Sequence, residues 1–272
     1  MRLFVDTAHL NEIELVSETG LLDGVTTNPS LIKQAVEQLR VEEREDIDLE
    51  EYIERILRVA DGKPVSLEVT GHTYEDMVAE GRRLFDRFNK INDNVFVKIP
   101  VNPSFGGEDR TLEGVKAINE LTSEGIPVNA TLIFTPEQAL MASKAGATYV
   151  SPFAGRINDL VRGKAGMDWD KGDYFPAKGM ESVDDNGVKS GIDLIRECAE
   201  IKDNHGFEAE VLAASIRNKR MLREAALVGA DIVTAPPEMV RESLRHEKTV
   251  EGMKSFTEDT VEEYADITGG RQ

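Results

Sequence analysis

The sequence predicts a closed (β/α)8 barrel, and three observations carry the prediction. Eight short β-rich runs alternate with longer amphipathic ones, the pattern of parallel strands joined by helical crossovers. Runs such as VFVKIPV and EVLAAS are apolar at consecutive positions, as strands buried on both faces are. No glycine-rich phosphate turn follows the first run, VDTAHLNE, so an open doubly wound sheet is the second choice. Length fits: α/β barrels of 272 residues are routinely one domain. No linker, internal repeat or low-complexity tract divides the chain, so one domain over residues 1–272 is expected.

The elements follow in order. Leu3–Asp6 is the first strand, with a helix from His9 to about Thr19. Val25–Thr27 is the second, and its helix starts with Pro29 in the first turn, where the missing N–H costs nothing. Glu37–Leu49 is dense in acid and extends a loop or helix. Val65–Val69 precedes a helix over Tyr74–Asn89. Val95–Val101 is apolar except for one lysine, and Leu112–Glu124 has helical spacing. Pro127–Phe134 and Ala147–Phe153 flank a helix at Pro136–Ala145. Glu210–Ala214 and Asp231–Ala235 complete the eight, each followed by a helix. Residues 159–189 form an insertion carrying Trp169, Tyr174, Phe175 and Pro176, aromatics that suggest packing. An amphipathic C-terminal helical stretch, Val250–Ile267, either caps the barrel or docks on a neighbouring subunit of a homo-oligomer.

Composition narrows the function classes. A 40% hydrophobic and 31% charged chain supports a packed core. The net charge of −19 opposes nucleic acid and anionic membranes, because the long-range field repels both. The same charge suits either a soluble self-repelling surface or one screened by concentrated salt. No apolar run approaches the roughly 18 residues of a membrane span, and the N-terminus lacks a signal-peptide pattern. One cysteine, Cys198, cannot form an intramolecular disulfide, and a cytoplasmic location is expected. Cys198 sits in a predicted helix, IDLIRECAEI, and reads as core rather than nucleophile. The four histidines have no metal-ligand spacing, and no metal is expected.

Polar residues collect at the C-terminal ends of the strands: Asp6, Asn28, Glu68, Lys98, Asn129, Thr131, Ser151, Ser215 and Arg217. Barrel active sites are built at that end. Lys98 is the most informative. A lysine among apolar neighbours is costly unless paired or neutral, and it reads either as half of a structural ion pair or as an amine nucleophile. Asp6 and Asn28 equally suit turn or helix caps, Glu68 suits a partner for Lys98, and Arg156 and Arg217 suit surface pairing with acids.

These residues sit in motifs. DGVTTNPSL at 23–31 resembles the transaldolase signature. The resemblance extends through VFVKIPV, IPVNATLIF at 126–134, SPFAGRI at 151–157 and AASIRN at 213–218, covering Asp6 to about Pro237. It implies a class I aldolase or transaldolase that needs no cofactor. It further implies Lys98 as the Schiff-base lysine and Asp6 as the proton-transfer group beside the bond being cleaved. Glu68 and Thr131 would hold a catalytic water. Asn28, Asn129 and Ser151 would contact the dihydroxyacetone unit, and Ser215, Arg217 and Arg156 the phosphate. Within the family, Glu68 and Phe153 side with transaldolases, whereas the fructose-6-phosphate aldolase subgroup resembles this chain less, having Gln and Tyr there.

The resemblance implies a cytoplasmic transferase of the pentose phosphate pathway, moving a three-carbon unit between sugar phosphates. Sedoheptulose 7-phosphate or fructose 6-phosphate would be donors. Three departures bear on substrate: the longer Asn102–Arg110 loop, Ile216 where an aromatic is common, and the 159–189 insertion. Alternatives are a lyase releasing free dihydroxyacetone, a sulfofructose transaldolase, and a sugar-phosphate binding protein without turnover.

Overall fold

The computed structural model describes residues 1–43, 48–175 and 183–269. Eight parallel strands close into a barrel in sequence order, β1 through β8, with β8 hydrogen-bonded back to β1. This is the predicted (β/α)8, or TIM, barrel. The first third comprises β1 (Arg2–Asp6), α1 (Leu10–Glu18), β2 (Gly24–Thr26), α2 (Pro29–Glu43), α3 (Leu49–Val59), β3 (Val65–Glu68) and α4 (Tyr74–Asn92). The middle comprises β4 (Val95–Pro100), α5 (Glu113–Ser123), β5 (Val128–Ile133), α6 (Pro136–Lys144), β6 (Tyr149–Pro152) and α7 (Ala154–Lys164). The last third comprises α8 (Gly191–His205), β7 (Glu210–Ala213), α9 (Lys219–Leu227), β8 (Ile232–Ala235), α10 (Pro237–Ser243), α11 (Glu247–Glu258) and α12 (Glu262–Ile267).

The period of two along each strand explains how the barrel positions a site. One register carries an apolar plug: Phe4, Phe96, Tyr149, Leu212 and Ile232 pack as one buried cluster. The Phe96 and Tyr149 rings stack at 4.3 Å, and Phe4 meets Tyr149 edge-on at 6.0 Å. Gly24, the partner of Phe4 across β1 and β2, is glycine because any Cβ there would lie 2.5 Å from the Phe4 ring. Two positions further along the same strands come Asp6, Thr26, Lys98, Ser151, Ala214 and Thr234. Polar chemistry therefore rests directly on an aromatic floor. The alternate residues face outward, where Val5, Val25 and Val65 pack with α1 to α3, and Val97, Val128 and Val211 with α4 to α9.

Several sequence expectations need adjustment. The acid-rich stretch after Pro29 continues α2 to Glu43, and a second crossover helix, α3, follows it. Asp48 caps α3 by accepting from the Glu50 backbone N–H at 2.8 Å, so one of those acids is a helix start signal. Residues 44–47 lie outside the described residues. The segment read as an insertion from 159 begins inside α7, so the extra chain starts at Ala165. Its Phe175 and Val188 join the main core, as its aromatics suggested. Pro176 lies outside the described residues. The C-terminal stretch forms two helices, α11 and α12, and neither buries a residue; it does not cap this barrel. Among the described residues, no helix is long and apolar enough to cross a membrane.

Candidate active site

Lys98 projects from β4 into the barrel with its side chain 7% exposed. Strand register sets Glu68 of β3 directly beside it, and the carboxylate Oε2 lies 2.9 Å from Lys98 Nζ. The ammonium also donates to the Thr27 carbonyl at 2.9 Å. The buried charge is thus compensated by one anion and one carbonyl dipole, as burial requires. The ion-pair reading of Glu68 is correct as geometry, and it leaves Lys98 facing a cavity as well.

That internal cavity, about 40 Å³, is lined by Asp6, Thr26, Asn28, Lys98, Asn129, Thr131, Ser151, Phe153, Leu212, Ala214 and Thr234. Seven residues expected from the sequence therefore meet in one place: Asp6, Asn28, Lys98, Asn129, Thr131, Ser151 and Phe153. A larger open groove of about 600 Å³ between α3 and α4 reaches Glu68 and Thr70 but not Lys98 or Asp6. Its size does not make it the chemical site, because the convergent polar groups lie in the smaller cavity.

Asp6 closes the far side of the cavity. Its Oδ1 accepts from Thr26 Oγ1 at 2.8 Å, and that hydroxyl meets Thr234 Oγ1 at 2.7 Å. Burial pushes the Asp6 carboxyl above the ordinary value; Lys98 and the Thr26 hydrogen bond pull it back, and Glu68 adds to the rise. Asn129 is fully buried, donating to Ser66 Oγ at 3.2 Å and accepting from Ser151 Oγ at 2.7 Å. Asn28 accepts from the Leu31 backbone N–H at 3.0 Å, so it caps α2 while it lines the cavity. The cap expected from the sequence is present, and the same side chain lines the cavity.

Thr131 stands apart. Its hydroxyl is buried without a hydrogen-bond partner among the described residues. A buried hydroxyl costs free energy unless a water or a ligand satisfies it. The backbone beside it is distorted: β5 shifts register against β6 between Ala130 and Ile133, and Leu132 has φ 57°. Positive φ in a leucine is strained and is typical of functional positions.

The three remaining expected residues lie beyond the cavity wall. Ser215 follows Ala214 in the left-handed region, φ 60°, and its carbonyl accepts from the Gly155 N–H at 3.1 Å. A Cβ on Gly155 would fall 2.6 Å from Arg217 Nε and 2.8 Å from Ser215 Oγ, so glycine lets α7 approach both. Arg217 pairs end-on with Asp159 at 2.5 and 2.6 Å, the acidic partner that a structural reading anticipated. Arg156 is exposed, and its guanidinium lies 5.1 Å from the Phe153 ring centre. Sequence reasoning missed Thr26, Thr234, Ser66 and Asp159. The first three were legible as strand positions in the interior register; Asp159 sits on a helix with no such signal. Cys198 is buried, its thiol pushed up to about 12 by burial, with nearby Glu197 and Glu137 adding to the rise, and it is core as expected.

Lys98 thus stands on an aromatic floor, with Glu68 and Asp6 near it, at the C-terminal mouth of the (β/α)8 barrel, the end at which barrel enzymes build their sites. The model of the transaldolase/fructose-6-phosphate aldolase family matches residues 3–268. A probable transaldolase from Prosthecochloris aestuarii is 42% identical, covering 95% of this chain and 97% of its own. Probable transaldolases from Sinorhizobium medicae and Chlorobium phaeobacteroides are 41% and 40% identical, over 95% and 96% of this chain and 96% of each of theirs. The chain belongs to the transaldolase/fructose-6-phosphate aldolase family.

The elevated Asp6 carboxyl has a sign that can be tested. Its ionised form is less favourable in the fold than in the unfolded chain, so Asp6 costs stability once pH rises above the unfolded value near 3.8. Asp6→Asn is expected to raise the melting temperature at pH 7 to 8, with the gain vanishing toward pH 3. An equal gain in melting temperature at every pH would contradict this sign.

Proposed function

We propose that the chain is a transaldolase that moves a dihydroxyacetone unit from a ketose phosphate to an aldose phosphate. The single observation that carries the reading is the buried Lys98 between Glu68 and the Asp6-lined cavity. The neutral amine of Lys98 attacks the ketose C2 carbonyl, and loss of water gives the imine. Glu68, 2.9 Å from Nζ, takes the ammonium proton and, with the orphan Thr131 hydroxyl, handles the water. Asp6 accepts the proton of the C4 hydroxyl as the C3–C4 bond breaks and the aldehyde leaves. The enamine stays on Lys98 and adds to the incoming aldehyde, with Asp6 returning the proton.

Asn28, Asn129 and Ser151 hold the hydroxyls of the retained three-carbon unit. Ser215, Arg217 and Arg156 bind the phosphate end, for which a guanidinium fork is suited. Phe153 supplies no proton to the enamine, which favours transfer over release. The whole site comes from one barrel, which we read as a single domain over residues 1–272. A cytoplasmic location suits these phosphorylated substrates and the single cysteine.

Incubation with fructose 6-phosphate, with and without erythrose 4-phosphate, tests the reading. Glyceraldehyde 3-phosphate release that requires the acceptor is expected; release without it would make the chain an aldolase. Lys98→Met abolishes borohydride-dependent covalent trapping of ketose, and surviving trapping would refute the nucleophile.

Phe153→Tyr adds a hydroxyl at the cavity wall. It is expected to increase free dihydroxyacetone made without acceptor, and no increase would count against Phe153 as the transfer determinant.

The chain is further read as a homo-oligomer. Val250, Met253, Phe256, Val261, Tyr264 and Ile267 are all more than half exposed on α11, α12 and the turn between them, apolar surface that water disfavours. Light scattering is expected to give a multiple of 30.1 kDa, reduced in Phe256→Glu.

A further inference from the structure

We propose that Asp159 and Trp169 are positioning residues for the anionic end of the substrate, acting through Arg217. The proposal rests on the reading of Arg217 as a phosphate ligand. Asp159, on the second turn of α7, takes both terminal nitrogens of Arg217, 58 residues away in sequence. This bidentate pair fixes the plane of the guanidinium. Its Nε edge then lies beside Gly155, close to the position where Ser215 Oγ also lies. The end of the fork is held by the protein, while Nε and the Ser215 hydroxyl both lie beside Gly155, two donors of the kind a tetrahedral oxyanion takes.

Asp159 is itself held. Trp169 Nε1 donates to Asp159 Oδ1 at 3.0 Å. Burial pushes the Asp159 carboxyl up, but the Arg217 pair and the Trp169 hydrogen bond outweigh it and leave it below the ordinary value. Trp169 belongs to the extra chain after α7. That segment also docks at the residue following Arg217, where Asn218 Nδ2 donates to the Gly172 carbonyl at 3.1 Å. Arg162, 2% exposed, anchors it from below by donating to the Asp173 carbonyl at 2.8 Å. The described part of the insertion is thus a brace behind Arg217 rather than a cover over the cavity.

The test separates orientation from charge. Asp159→Asn keeps shape but loses the paired carboxylate, and Trp169→Phe removes the N–H donor and part of the ring near Arg162 without altering charge. In Asp159→Asn, KM for fructose 6-phosphate and the inhibition constant of inorganic phosphate are each expected to rise about tenfold, with kcat within about twofold. Trp169→Phe gives a rise of about threefold in both, and in an Arg217→Ala background neither change has a further effect. A KM that fell in Asp159→Asn would mean that net charge governs the site, and would overturn the proposal. So would a loss of kcat and melting temperature with KM unmoved, or penalties that persist without Arg217. The rise in melting temperature caused by inorganic phosphate is measured in the same proteins and needs no turnover. A wild type that binds phosphate through Arg217 but turns over no sugar would defeat the transaldolase reading and leave this one standing.

Discussion

Burying one ammonium inside a barrel is the constraint on which the rest of the site depends. Lys98 sits above a floor of Phe4, Phe96 and Tyr149, largely withdrawn from bulk water. It is sustained by Glu68 one strand away and by the Thr27 carbonyl one strand further. Those partners are available only because β3 and β4 run in register, Glu68 opposite Lys98. The same low-dielectric surroundings raise the Asp6 carboxyl, so floor, register and acid–base behaviour have one origin.

Much of the fold was legible in the sequence because a parallel barrel repeats a simple physical unit. Each strand is short, apolar on both faces and followed by a helix, and the eight runs were located to within one or two residues at most ends. What escaped was α3, whose Tyr52, Ile56 and Leu57 form a buried face inside an otherwise acid-rich region. Charge density masked its periodicity. The C-terminal helices were amphipathic as read, but amphipathicity does not say which surface they face, and here they bury nothing of this chain.

The candidate site divides in the same way. Residues on strands were legible because a period of two puts every second side chain inside, and polar types there are conspicuous. Five of them line one cavity, together with Asn28 and Phe153 just past the ends of β2 and β6. Asp159 was not legible, because a helical aspartate looks like any solvated charge until the fold brings Arg217 across 58 residues to meet it. Nor does residue type announce the positive φ of Leu132 or Ser215; these conformations are imposed by the bulge in β5 and by the approach of α7. The departures in the 102–110 loop and at Ile216 affect the rim and core without changing which groups reach Lys98; Ile216 is buried.

The aromatic floor has a further consequence. A barrel stoppered at its base has a single doorway, at the ends of the strands where Lys98 points. The cavity beside Lys98, about 40 Å³, has no room for two aldehydes at once. Under the transfer reading, the departing aldehyde must clear the threshold before its successor crosses it. The order of events is then imposed by topology: one traveller out, then one in, with the three-carbon fragment held captive on Lys98 between the two.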